Sequence, residues 1–238
     1  MNLIMVSTAI SLFITIVLPI ALILILFIKD FGTIKWAIIG GLVFTLFQIL
    51  TRIPLLNYLN LQPWYIRSIS TNTAILALFL AATAGIFEEG GRYIALRWVL
   101  RDRMTWLKGI ALGIGHGGVE AIYLVGRPLL RMTIQQWSTG NSPLATALPT
   151  SILLGGAERL IAMTIHVGLT LMVLYGVKNR EVIYFFLAVL FHTLVNLPIL
   201  LIESQIMIWG YLILWTLIFI YIILKFRRDL KDRWFYNY

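Results

Sequence analysis

Apolar residues run along this chain in blocks separated by short charged or proline-containing stretches. A helix needs about 20 apolar residues to cross ~30 Å of hydrocarbon at about 1.5 Å per residue. The pattern therefore predicts seven membrane spans, at 3–28, 34–53, 73–97, 106–126, 149–176, 182–202 and 206–224. The first block has no basic leader and no small-x-small cleavage site, so it reads as a span and not as a removable signal. The segments 54–72, with Pro54, Pro63 and Trp64, and 127–148, with Pro128, Asn141 and Pro143, are predicted as the only substantial loops. Neither could build a core of its own. Residues 1–238 thus form a single polytopic membrane domain of the all-α integral membrane class, with no evident internal repeat.

Composition agrees. Apolar residues make up 60% of the 238 and charged residues 12%, with a mean hydropathy of +0.91. Soluble domains sit near half apolar and a quarter charged. The absence of cysteine excludes disulfides, thiolate metal sites and a cysteine nucleophile. A net charge of +9 does not mark a nucleic-acid partner, because the basic residues sit at block ends, where they set orientation. With the N-terminus outside, the inner segments carry Lys29, Lys35, Arg97, Arg101, Arg103, Lys108, Lys178, Arg180, Lys225, Arg227, Arg228, Lys231 and Arg233. The outer segments carry Arg52, Arg67, Arg127 and Arg131. That bias predicts N-terminus out and C-terminus in, for a multi-pass protein of a prokaryotic cell membrane. The tail from Trp234 to Tyr238 reads as an interfacial anchor.

Ionisable groups inside spans are costly and mark functional sites by default. Span 3 carries Glu88, Glu89 and Arg92, span 4 carries His116 and Glu120, span 5 carries Glu158, Arg159 and His166, and span 6 carries His192 with Asn196. At about 1.5 Å per residue, Glu88, His116, His166 and His192 lie roughly 12–18 Å from the inner ends of their spans. They form one layer in the cytosolic half, and Glu88, Glu89, His116 and His192 are expected to line one cavity open toward that half. Glu158 and Arg159 fall nearer the outer face and read as an interfacial pair. Arg92 reaches Glu88 at i,i+4 and Glu89 at i,i+3, while the two adjacent glutamates diverge by ~100°. His116 shares a face with Glu120, and His192 with Asn196. Gly85, Gly90 and Gly91 on span 3 and the five glycines of span 4 predict a close contact between these two helices.

Each feature alone has a structural reading as a buried ion pair or an interhelical hydrogen bond. Their joint depth points to chemistry: a carboxylate as general base with a histidine holding a water, and a second histidine with an amide facing an oxyanion. No H-E-x-x-H zinc motif and no Gly-x-Ser-Gly element is present. All four aspartates, Asp30, Asp102, Asp229 and Asp232, lie in loops or the tail, which excludes an aspartyl dyad.

EEGGRY on one span, GHGGVE on the next, a lone histidine on span 5 and HTLVN on span 6 resemble the YhfC family of intramembrane proteases. That family looks related to type II CAAX-prenyl proteases and their CPBP relatives, to PrsW proteases and to the multi-pass scaffold subunit of γ-secretase. The resemblance covers Phe87 to Asn196. It implies an intramembrane endopeptidase of glutamate type, in which Glu88 or Glu89 activates water with His116 while His192 and Asn196 stabilise the oxyanion. Arg92, Glu120 and His166 take supporting places. The substrate it implies is a membrane-associated peptide or protein, cut near the cytosolic leaflet.

No cofactor is required on this reading, because the histidines are spread singly over separate helices. Zinc is the alternative, held by His116, His166, His192 and Glu88. Two further readings compete. His166 and His192 match a pair retained in the non-proteolytic γ-secretase scaffold, which suits a membrane scaffold or chaperone. A proton-relaying transporter would use the same layer but more often shows inverted repeats.

Overall fold

The computed structural model describes residues 3–101 and 103–230; the aromatic tail expected at an interface lies outside the described residues. Among the described residues, seven helices are long and apolar enough to cross a membrane. They are α1 Leu3–Lys29, α2 Thr33–Leu59, α3 Thr73–Val99, α4 Trp106–Thr139, α5 Pro149–Asn179, α6 Ile183–Leu200 and α7 Gln205–Asp229. Local chemistry fixes several ends. The Asn72 side chain accepts from the backbone N–H groups of Ala74 and Ile75 to start α3, and Thr105 accepts from the Lys108 N–H to start α4. Gly140, at φ 67°, closes α4 in the left-handed conformation that glycine adopts without penalty.

The two expected loops are largely helical. Ile53–Leu59 prolongs α2, Arg127–Thr139 prolongs α4, and Pro63–Ser70 forms a short helix before α3. The prolines that suggested helix ends are absorbed instead. The π-helical stretches Phe13–Val17, Thr45–Arg52 and Ile122–Gly126 each end two residues before a proline: Pro19, Pro54 and Pro128. Proline cannot donate to the preceding turn and pushes its carbonyl aside. A wider turn takes up that mismatch, so the helix continues. In hydrocarbon the alternative, an open backbone, is too costly.

An odd number of alternating crossings gives the bundle two faces. One, the N-face, carries the start of α1 and the connections between α2 and α3, α4 and α5, and α6 and α7. The other, the C-face, carries the remaining connections and the end of α7. Interhelix bonds agree with this alternation: Ser11 donates to the Ile152 carbonyl near the N-face, while Trp106 donates to Ile223 and Lys178 to Met104 near the C-face.

α4 and α5 occupy the centre, with α1 and α2 on one flank, α3 and α6 on the other and α7 against α5. The glycines of α4 do not face α3, as their clustering had suggested. A Cβ on Gly115 would lie 2.0 Å from the Ala37 carbonyl oxygen of α2, and one on Gly113 2.6 Å from the Val167 Cα of α5. Gly85 of α3 packs on Val189 and Thr193 of α6 instead. Small residues thus draw α4 against α2 and α5, and α3 meets α4 through polar side chains. Toward the C-face the interior is filled by Trp36, Leu96, Leu100, Leu112, Leu171, Leu174 and Leu230, all fully buried. Exposed apolar side chains such as Leu24, Ile28, Phe186, Leu190 and Leu217 form the surface expected against lipid tails.

Candidate active site

Four helices deliver six ionisable side chains to one level. Glu88 and Glu89 come from α3, His116 and Glu120 from α4, His166 from α5 and His192 from α6. Glu88, Glu89, Arg92, His116, His166 and His192 are all buried. The three imidazoles stand in a row, His116 and His166 with ring centres 4.9 Å apart and His166 and His192 5.5 Å apart. Phe44 of α2 closes the row edge-on against His116 at 5.2 Å.

The adjacent glutamates take different partners, as a ~100° divergence requires. Glu88 Oε2 lies 2.9 Å from His116 Nε2 and 3.9 Å from both His192 Nε2 and Arg92 Nη2. Glu89 turns to Arg92 Nη1, which donates to its Oε1, and that oxygen also meets His192 Nδ1 at 2.7 Å. Arg92 Nη2 reaches His166 Nδ1 at 2.7 Å. Since a guanidinium only donates, His166 Nδ1 accepts. The proton of the neutral ring then sits on Nε2, which contacts Glu120 Oε2.

Glu120 is the residue whose place the sequence understated. It does not orient His116, its neighbour one turn away. It joins His166 and accepts from Arg159 Nη1 at 2.8 Å, and Arg159 Nη2 donates to Glu158 at 2.5 Å. Arg159 is buried, so Glu158 and Arg159 extend the layer and are not an interfacial pair. The reason is lateral and not depth: Arg159 points at α4, where Glu120 takes its guanidinium inside the bundle.

Glu88, Glu120, Glu158, Arg159, His166, His192 and Asn196 line a cavity of about 360 Å³. Glu89 and His116 lie behind this wall with no exposure. The cavity does not open toward the C-face, the expected inner side. Its other walls, Gln48, Arg52, Ala77, Leu80, Leu124, Ile199, Leu200 and Leu212, all lie on the N-face side of the layer. Arg52, assigned to an outer segment by its place before Pro54, is buried within α2 and belongs to this wall. The apolar residues that continue beyond it, Ile53, Leu55 and Leu56, were the available signal for it.

The donor set was tested for a divalent metal. One ligand atom from each of Glu88, His116, Glu120 and His166 lies within 4.8 Å of the others. His192, part of the zinc set expected from sequence, is engaged with Glu89, and Glu120 takes its place. Four carboxylates (Glu88, Glu89, Glu120 and Glu158) contact only two guanidinium groups, Arg92 and Arg159. With neutral imidazoles, and with Arg52 of the same cavity wall counted as a third cation, one negative charge is left in excess in an interior where unpaired charge is expensive. The nitrogen and oxygen donors, their number and their charge suit zinc.

The profile of one protein family, described as YhfC intramembrane metalloprotease, matches residues 14–217. The chain belongs to the YhfC family. The match takes in α2 to α6 whole, and with them every residue of the polar layer. One relative is the uncharacterized membrane protein YhfC of Bacillus subtilis (strain 168), 35% identical over 143 residues. That alignment spans 52% of this chain and 55% of the relative, about half the length of each. No solved structure matches. The chain is a multi-pass integral membrane protein, as its seven apolar helices and its family both indicate.

Proposed function

We propose that this chain is an intramembrane protease that hydrolyses a peptide bond of a membrane-associated polypeptide. The observation that carries the reading is the convergence of Glu88, Glu120, His166 and His192, from four helices, on one cavity below the N-face, with His116 against Glu88 directly behind its wall. The family's description as intramembrane metalloproteases supports it. The bias of basic residues toward the C-face favours N-terminus out. On that orientation the substrate enters from the outer half of the bilayer and not from the cytosolic leaflet.

The roles follow from the contacts. Glu88 and Glu120 both line the cavity and meet an imidazole, but Glu120 is held by Arg159 at 2.8 Å whereas the guanidinium nearest Glu88 stands at 3.9 Å, so Glu88 is the group placed to take a proton from a water there. Glu89 has no exposure; it accepts from Arg92 and from His192 Nδ1, which fixes the His192 tautomer and turns Nε2 toward Glu88 and the cavity. Asn196, one turn further along α6, lines the same cavity and offers amide donors to a developing oxyanion. Arg92 ties Glu89 to His166, so a single cation aligns groups from α3, α5 and α6.

Glu88, His116, Glu120 and His166 are the residues that would hold a zinc ion. Zinc bound there supplies Lewis-acid polarisation of a carbonyl and a more acidic water. The Arg92–His166 bond favours a second reading, glutamate-type hydrolysis without metal, because it keeps the His166 proton on the nitrogen that faces Glu120.

Metal analysis of the purified protein, with cleavage of a reporter transmembrane peptide before and after strong chelation, separates the two. The metal reading expects about one zinc per chain and activity lost on chelation and regained with zinc. Zinc-free protein that cleaves at full rate in chelator overturns it and leaves the glutamate type. No cleavage under either condition overturns the protease proposal itself.

A further inference from the structure

Among the described residues, three arginines lie buried in the polar half of the bundle, and two of them make contact ion pairs. Arg92 pairs with Glu89, and Arg159 with Glu120 and Glu158. Arg52 is buried to the same degree as Arg159, at 7% exposure, yet its guanidinium meets only neutral acceptors. Nε donates to Thr83 Oγ1 at 3.2 Å, Nη1 to Gln48 Oε1 at 3.3 Å and Nη2 to the Leu80 carbonyl at 2.6 Å. A guanidinium has five N–H donors, so one on each terminal nitrogen is left without a protein acceptor. Each terminal nitrogen therefore keeps one N–H for an external acceptor, and a carboxylate has two oxygens to offer them. Arg52 lines the same cavity as Glu88, His192 and Asn196. A cation that no carboxylate touches is expensive to keep at this depth, and three side-chain and backbone acceptors hold it in the wall.

We infer that Arg52, positioned by Gln48, Thr83 and Leu80, is a carboxylate-binding subsite of this cavity, which takes an anionic group of the substrate. The inference rests on the proposed protease reading for the name "substrate"; the binding itself does not. Arg52 bonds α3 at Leu80 and Thr83, five to eight residues before Glu88. At about 1.5 Å of rise per residue that is roughly 8–12 Å, or two to four residues of extended peptide at ~3.3 Å each. The anionic group therefore sits two to four residues from the bond to be cut. A C-terminal carboxylate and an acidic side chain both supply this chemistry.

The test is equilibrium binding to the full chain in phosphatidylcholine nanodiscs. The probes are a fluorescent Leu/Ala peptide as its free acid, the same peptide as its carboxamide, and the carboxamide with one internal glutamate. Wild type is expected to bind at least one anionic probe about tenfold or more tightly than the neutral carboxamide, as a charge-assisted fork implies. Whichever anionic probe is preferred identifies the source of the carboxylate. Arg52→Gln is expected to bind all three alike, and Arg52→Lys, which keeps charge but loses the fork, to retain only part of the preference. Equal binding of all probes by wild type overturns the subsite, as does a preference undiminished in Arg52→Gln. If Arg52→Gln fails to fold, an undiminished preference in Arg52→Lys overturns it instead. A preference abolished with Arg52 in a protein that cleaves nothing retains the subsite and removes the protease reading; cleavage with no preference does the reverse.

Discussion

The two halves of this bundle are built from the same helices and packed in opposite ways. Toward the C-face, α2, α4, α5 and α7 interdigitate leucines and Trp36 around glycines whose missing side chains let backbones touch. Toward the N-face the same helices stand apart around a cavity of about 360 Å³, floored by the polar layer. Close packing needs partners of complementary shape and no charge. Once Glu88, Glu120, Arg159 and the histidines occupy one level, the space beside them must hold polar or aqueous contents, because ionised groups sealed in hydrocarbon are too costly. The closed half fixes where the helices are, and the open half is where their polar groups can act. The direction of opening follows from that division and not from the depth of the ionisable residues.

The sharpest break of this comparison is at the floor of the cavity. Glu88→Gln is expected to lower peptide cleavage by about a thousandfold or more, the scale of removing a general base together with its histidine contact, while the melting temperature stays within a few degrees. Glu89→Gln disturbs Arg92 and His192 and should combine a smaller loss of rate with a lower melting temperature. An active Glu88→Gln beside a dead but stable Glu89→Gln would reverse the two roles.

A paired substitution separates the halves at a smaller scale. Leu174→Ala in the packed half is expected to cost about 2–5 kcal/mol of stability, the range for buried leucine truncations, with cleavage per folded molecule unchanged. Ala162→Trp projects into the open half from a partly exposed position of the cavity wall. It should lower cleavage by roughly 10–100-fold, through a misplaced substrate, and leave the thermal melt nearly unchanged. If Ala162→Trp unfolds the protein while Leu174→Ala abolishes activity in folded molecules, the division into a framework half and a working half is wrong.

The least disruptive test asks which face is outside. The chain has no cysteine of its own, so Ser70→Cys near the N-face and Asn179→Cys near the C-face report separately. An impermeant maleimide added to intact cells is expected to label the first and to reach the second only after lysis. The opposite pattern would place the cavity's open side toward the cytosol.

Much of this was legible in the residues. Seven helices, their alternation and their lipid-facing surfaces follow from hydropathy, because a chain in hydrocarbon has few ways to satisfy its backbone. Placing Glu88, His116, His166 and His192 in one layer needed only rise per residue and helix direction. Three things needed the fold. Proline reads locally as a helix end, and only the neighbouring turns, widened into π geometry before Pro19, Pro54 and Pro128, allow the helix to continue. Partner choice was invisible as well: the i,i+4 spacing offered Glu120 to His116, yet rotation of α4 against α5 gave it to His166 and Arg159. The last was the side on which the cavity opens, with Arg52 in its wall. One-dimensional pattern records how deep a group lies along its own helix, whereas a cavity is set by the gaps between helices. Those depend on crossing and rotation that no single helix's sequence contains.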